Sequence, residues 1–455
     1  MIRPWLTPAF CASNGIIINR FEGKSVYLGM VNANDATLKT RVSKAFTGWQ
    51  CIFEGMDNEA FNLKLSQLFS EEPEGSAKAG EKDSRESKID RVADDAPIVN
   101  LLNSIFLEAI SKRASDIHVE SGCHETIIRY RTDGLLVPFK RITNERASAV
   151  SARLKILANL NVLENRRPQD GHMDVKTDCY SLDVRISIVP TIWGESIVLR
   201  LLNRSDSPLS IDSLGFSEGN AIYLKNILAL KSGLVLVTGP TGSGKTTTMA
   251  ALLKELDINS VKIISIEDPV EYRIPGITQI QVRAELGLGF DALLRRIFRQ
   301  DPDVIMIGEI RDIETAELAV RAALTGHLVF ATLHTNNAVE AVYRLQNMGI
   351  PDYMVAAVIK MVIAQRLLRK VCADCGTSGC DPCLHTGFRG RTVIAEFIPV
   401  DIVLSDMISG GVTIEQLRRY LQNRKFSTLF DDAEERAASG ITTEAEIRRE
   451  LGVRQ

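Results

Sequence analysis

The chain of 455 residues lacks any unbroken run of about 18 apolar residues, the length a membrane-spanning helix requires. Its most apolar stretch, Tyr353 to Leu368, is interrupted by Lys360, Gln365 and Arg366, so the sequence predicts no transmembrane helix. It has little net charge: 54 basic against 57 acidic residues leave −3, which offers no chain-wide basic field for nucleic acid. At the N-terminus Pro4 and Pro8 bracket a weakly apolar start without the charged-then-apolar pattern of a signal peptide. Eight cysteines are too few for a disulfide-stapled secreted fold. These absences point to a cytoplasmic chain. What is present is ordinary globular material, 45% apolar and 24% charged, which excludes wholesale disorder and a fibrous class. The length leaves room for about three domains.

Four cysteines, Cys11, Cys51, Cys123 and Cys179, are scattered and read as buried or incidental thiols. The other four form two C-x-x-C knuckles, Cys372-Ala-Asp-Cys375 and Cys380-Asp-Pro-Cys383. Four thiolates in one short loop suit a closed, structural Zn²⁺ site. A pair of redox dithiols or disulfides is the alternative, disfavoured in an intracellular chain with no thioredoxin-like pattern around the loop.

Residues 1–69 carry short apolar runs (Ile16 to Ile18, Val26 to Leu28) and amphipathic stretches near Ala36 to Phe46 and Glu59 to Phe69, which predict a small α/β module. From 70 to 95 large apolar residues nearly vanish among mixed charges, Ser and Gly, the composition of a solvated linker. Over 96–206 a helical pattern from Ile98 to Ile110 is followed by alternating strands, with Asp133-Gly134 as a hairpin signal. Over 207–455 short apolar strands alternate with helical patterns, the signature of a parallel sheet covered by helices.

Gly239-Pro240-Thr241-Gly242-Ser243-Gly244-Lys245-Thr246, followed by Thr247, matches the phosphate loop G-x-x-x-x-G-K-[ST] in full. It lies between a predicted strand, Leu234 to Val237, and a predicted helix, Thr246 to Leu256, as that chemistry requires. Backbone amides freed by the glycines would cradle phosphates, Lys245 would meet the β and γ phosphates, and Thr246 would offer its hydroxyl to Mg²⁺. Three more predicted strands end in polar residues: Val261 to Ile266 before Glu267, Val304 to Ile307 before Gly308-Glu309, and Leu328 to Leu333 before His334. Ligands in open α/β sheets sit beyond such ends. Gly308 stands where an Asp would commonly close the Mg²⁺-linked strand, so Glu309 is the candidate Mg²⁺ partner, through water. Glu267 is the candidate for orienting or deprotonating the attacking water. His334, and less so His327, could sense the γ-phosphate, or either could be an ordinary satisfied histidine.

Two arginine pairs stand out. If Val189 pairs with Ser196 across the turn Pro190 to Glu195, Arg185 lies opposite Arg200, a like-charge pair that costs stability. Arg295 and Arg299 are spaced i, i+4 on a predicted helix. They are either salt-bridged surface pairs or arginines gathered for phosphate oxygens, donated as fingers to a neighbouring subunit's nucleotide.

The motifs together resemble the secretion ATPase family of type II secretion and type IV pilus machines, of the GspE/PilB kind. Arg113 to Glu120, Arg166 to Gly171 and Pro190 to Leu202 resemble its second N-terminal domain. Ile264 to Glu271 resembles its aspartate box, Arg299 to Asp312 its Walker B region including the Gly308 departure, and Thr325 to His327 through Thr332 to Thr335 its histidine box. The resemblance implies a RecA-like P-loop ATPase core, a preceding α+β (PAS-like) domain and a small N-terminal α/β module. It also implies a homohexamer in which Arg185, Arg200, Arg295 and Arg299 reach nucleotide at or near subunit boundaries. Further implications are a partner-docking role for the leading module on a membrane-anchored protein, an inner-membrane platform protein as partner, and peripheral attachment to the cytoplasmic face of that membrane. The cysteine loop followed by Thr386-Gly-Phe-Arg-Gly-Arg391 resembles the assembly and secretion motors, whereas retraction motors lack that loop and the leading module. The expected function is therefore Mg²⁺-dependent ATP hydrolysis driving addition of pilin-like subunits to a fibre. Competing readings are a retraction motor, a RecA-like nucleic-acid motor, and a subunit that binds ATP without useful hydrolysis.

Overall fold

The computed structural model describes residues 15–22, 24–32, 35–46, 49–57, 60–61, 96–176, 181–203 and 210–453. The linker expected over 70–95, nearly all of the amphipathic stretch near 59–69, and Cys11 and Cys179 lie outside the described residues. Of the other two scattered cysteines, Cys51 is half-buried and Cys123 exposed, both as free thiols. Among the described residues no helix is long and apolar enough to cross a membrane. The chain divides into two compact units, one within residues 1–106 plus 148–154, the other from 107–147 and 155 onward.

In the first unit β1 (Ile16–Glu22), β2 (Ser25–Met30) and β3 (Gln50–Gly55) form one sheet in that order. β1 and β2 pair antiparallel; β3 joins β2 in parallel after α1 (Ala36–Ala45). Asp35 caps α1 by accepting from Leu38 N at 2.9 Å. Ile16, Val26, Leu28, Leu38 and Val42 close the small core. α2 (Ala96–Ser111) begins in this unit, and Ile98, Leu102, Ile105, Phe106 and Ala109 are its buried residues at helical spacing.

The second unit holds two sheets. β4 (Asp116–Ser121), β5 (Thr126–Thr132), β6 (Leu135–Ile142), β7 (Gln169–Lys176), β8 (Ser181–Thr191) and β9 (Gly194–Asn203) form an antiparallel sheet of order β6-β5-β4-β9-β8-β7; α3 (Asn144–Leu157) follows β6 in the chain. Asp133 and Gly134, both at positive φ, make the tight β5–β6 turn. β8 and β9 pair with Val189 opposite Ser196 and Arg185 opposite Arg200.

The larger sheet runs β12-β11-β13-β14-β10-β15-β16. Its strands are β10 (Gly233–Thr238), β11 (Ile263–Glu267), β12 (Thr278–Gln281), β13 (Val304–Ile307), β14 (Leu328–Leu333), β15 (Ile359–Val371) and β16 (Phe388–Pro399). All pair in parallel except β16, which lies antiparallel to β15. α4 (Glu218–Ile227), α5 (Lys245–Glu255), α6 (Phe290–Ile297), α7 (Ile313–Leu324), α8 (Ala338–Asn347) and α9 (Asp352–Val358) punctuate the strands, and α10 (Ile402–Ser409), α11 (Ile414–Asn423), α12 (Leu429–Ala438) and α13 (Glu444–Leu451) follow β16. Both faces are covered. Leu234 and Leu236 enter one apolar cluster and Val235 and Val237 the other, as the two-residue period of a strand dictates. That double burial explains why β10, β13 and β14 read as continuous apolar runs. This is the RecA-like core expected from the sequence, and it places the carboxyl ends of β10, β11, β13 and β14 side by side.

Candidate functional site

The site is built from those strand ends. Beyond β10 the chain turns sharply at Gly239, whose φ is +150°. A Cβ there would stand 2.5 Å from Gln365 O and from Ser243 Oγ, so only glycine fits. Gln365, on β15, donates from Nε2 to Ser243 O at 2.7 Å and braces the loop. Thr238 Oγ1 lies 2.6 Å from Thr335 Oγ1, tying the end of β10 to the segment after β14. Gly244 then caps α5, so the free amides of the helix N-terminus open onto the loop.

Lys245 Nζ donates to Gly239 O at 2.7 Å and Pro240 O at 3.0 Å. Burial lowers its pKa to about 8, with Glu309 opposing the shift. Glu267 is buried, and that burial raises its pKa even though Ser265 Oγ (2.7 Å) and Gln279 Nε2 (2.9 Å) donate to its carboxylate. Glu309 follows Gly308 at the end of β13. Its carboxylate is paired with Arg311 and lies 3.5 Å from His334 Nε2. Burial, and then the Lys245 charge, lowers the pKa of His334. The Gly308 departure has a steric cause, since a Cβ would come 3.1 Å from Ile266 O and 3.3 Å from Glu267 Cα. An Asp at this strand end would press into the backbone that carries Glu267.

These groups line one cavity of about 490 Å³, within the usual range for a small-molecule site. Thr241, Gly242, Lys245, Thr246, Thr247, Glu267, Glu309, His334 and Arg200 all face it. The Thr246 hydroxyl and the Glu309 carboxylate are hard oxygen donors on the same cavity, a set that fits Mg²⁺. Arg311 also lines it and reaches Asp268 at 3.8 Å. The sequence reading missed Arg311, Ser265 and Gln279 as site residues. For Arg311 its position two residues after Glu309 was the available signal; for Gln279 there was none, because it comes from a separate strand.

Of the four singled-out arginines, Arg200 alone is in the cavity wall. The like-charge pair gains its counter-ion across the sheet, where Asp116 sits opposite Arg200 and accepts from its Nε at 3.0 Å. Arg185 lies between Arg200 and His172. Arg295 and Arg299 do not share one regular helix: α6 ends at Ile297, and Arg299 lies in a separate 3₁₀ turn, Phe298–Gln300, because Pro302 and the left-handed Asp301 stop the helix. Both are exposed. His327 is remote from this cavity, with Nδ1 2.9 Å from Ala322 O.

The four loop cysteines converge, all Sγ atoms lying within 4.8 Å of one another. Three S···S separations are 3.6 to 3.7 Å. A tetrahedron with Zn–S bonds of 2.3 Å has edges of about 3.8 Å, so the cluster fits Zn²⁺. Cys380 N donates to Cys383 Sγ at 3.1 Å, as befits a thiolate ligand.

With the geometry in hand, comparison with known proteins is specific. Residues 91–449 match the model of a family described as type II/IV secretion system protein. The chain is 40% identical over 417 residues to the type II secretion system protein HxcR of Pseudomonas aeruginosa, spanning 87% of this chain and 89% of that one. It is 41% identical over 386 residues to the type IV pilus assembly ATPase PilB of Myxococcus xanthus, spanning 78% and 68%. Among solved structures, the pilus retraction motor PilT with bound ADP superposes with a TM-score of 0.54 at 27% identity, over 76% of this chain and 95% of that one.

Proposed function

We propose, from the premise that this chain belongs to the type II/IV secretion system protein family, that it is an ATPase motor which adds pilin or pseudopilin subunits to a fibre at the inner membrane. The observation that carries this reading is the single cavity onto which the intact phosphate loop, Glu267 and Glu309 all open.

Phosphates enter at the α5 N-terminus, where Lys245 exchanges its loop carbonyls for β and γ oxygens. Mg²⁺, when bound, neutralises charge on those oxygens, and Thr246 with Glu309 would hold it. Glu267 takes the proton of the attacking water. A carboxylate whose pKa is raised by burial is a stronger base than an exposed one, and Ser265 with Gln279 fixes its direction. His334 sits 3.5 Å from Glu309, where it can sense a γ-phosphate. Arg200 approaches within the chain; Arg185, Arg295 and Arg299 serve as fingers between subunits of a homohexamer.

The motor works on the cytoplasmic face of the inner membrane, against a platform protein, with the N-terminal module (1–69) held by a membrane-anchored partner. The tetracysteine loop supports assembly or secretion over retraction. Cells carrying Lys245→Ala test the branch: loss of surface fibres identifies pilus assembly, and loss of released proteins with fibres intact identifies type II secretion. Extra fibres would identify retraction, and no change in either would contradict the motor reading.

A further inference from the structure

We infer that Arg391 is a further nucleotide-contacting residue and that Asp133 is the positioning residue that aims it. This rests on the ATPase reading above. Beside the phosphate cavity lies a second cavity, also of about 490 Å³, whose mixed lining sets Leu135, Val137, Leu214 and Val393 among polar and charged side chains. The two share four residues: Gly244, Thr247, Leu367 and Arg391. A nucleoside triphosphate is an anionic chain joined to a flat, largely apolar ring. With its phosphates at the helix N-terminus, its sugar and base leave past the shared residues into the second cavity. Of those four residues only Arg391 is charged, so it meets the ligand where the phosphate chain joins the nucleoside.

Asp133 holds Arg391 in place. It occupies the tight β5–β6 turn, where its Oδ2 accepts from Gly390 N at 2.7 Å while Oδ1 lies 3.7 Å from Arg391 Nε. One carboxylate thus grips both the backbone just before Arg391 and the near side of its guanidinium. An ion pair made through Nε leaves the two Nη groups for a second anion. The cross-strand neighbour Arg369 is engaged differently, since the buried Glu446 carboxylate takes its Nε at 3.0 Å and its guanidinium stacks 4.2 Å from the Phe388 ring. Of these two paired arginines, Arg391 is the one aimed at ligand.

The test uses the purified full-length, zinc-loaded protein, with ATP turnover as the readout and thermal midpoint and zinc content recorded for every variant. Arg391→Ala should raise KM for ATP about tenfold, more than it lowers kcat, as expected for loss of a charge-assisted hydrogen bond. Arg391→Lys should recover part of that loss. Asp133→Ala should raise KM by less, and should add nothing in the Arg391→Ala background, because it acts through Arg391. Lys245→Ala is the control for the underlying reading and should abolish turnover. An unchanged KM in Arg391→Ala, with Lys245→Ala inactive, would overturn this inference and leave the ATPase reading intact. An undiminished Asp133→Ala effect in the Arg391→Ala background would overturn the positioning role. Full turnover by Lys245→Ala would instead remove the reading on which both rest.

Discussion

In the proposed mechanism Lys245 must be charged to hold phosphate and Glu267 must be charged to take a proton, yet burial works against the charge on both. The two effects bracket a pH optimum. Lys245, with a pKa lowered to about 8, loses its proton as pH rises through that value, so KM for ATP should climb on the alkaline side. Glu267, raised above the ordinary carboxylate range, gains a proton as pH falls, so kcat should drop on the acid side before exposed carboxylates titrate. Steady-state kinetics across roughly pH 5 to 9 reads both limbs, and a flat profile would contradict the assigned roles. Lys245 and the glycines of its loop were legible because they are contiguous in sequence. Gln279 was not, because its tie to Glu267 is made by the neighbouring strand β12.

Elements were legible where burial is symmetrical. β10, β13 and β14 are covered on both faces and read as uninterrupted apolar runs, whereas Tyr353 to Leu368, equally apolar, divides into α9 and β15. Period alone could not place that division, since a short apolar run fits a buried strand or a buried helix. The β8–β9 register was legible from the turn, and it explains two facing arginines only once Asp116 is brought alongside by β4, far away in sequence. The tetracysteine loop joins β15 to β16 and contributes Pro382, Cys383 and Leu384 to the wall of the second cavity. Its metal should therefore stabilise both the loop and that wall. The purified protein should carry one Zn²⁺ per chain, and removal by a chelator should lower the thermal midpoint and weaken nucleotide binding. A chain purified without metal, with an unaltered midpoint after chelation, would contradict the zinc assignment.

At the scale of the whole molecule, the RecA-like sheet, the phosphate loop and the cysteine loop agree with a match to the type II/IV secretion family over residues 91–449. The agreement is with the core, and what the motor drives depends on its partners. A motor of this kind must separate binding from hydrolysis, and Glu267 is the residue assigned to the second. The most direct measurement is ATP binding and ATP turnover by the full-length Glu267→Gln protein with Mg²⁺. The carboxamide keeps the side-chain shape and removes the base, so the variant should bind ATP as tightly as the parent while turnover falls about 10²- to 10⁴-fold. Turnover equal to the parent's would contradict the account at its centre.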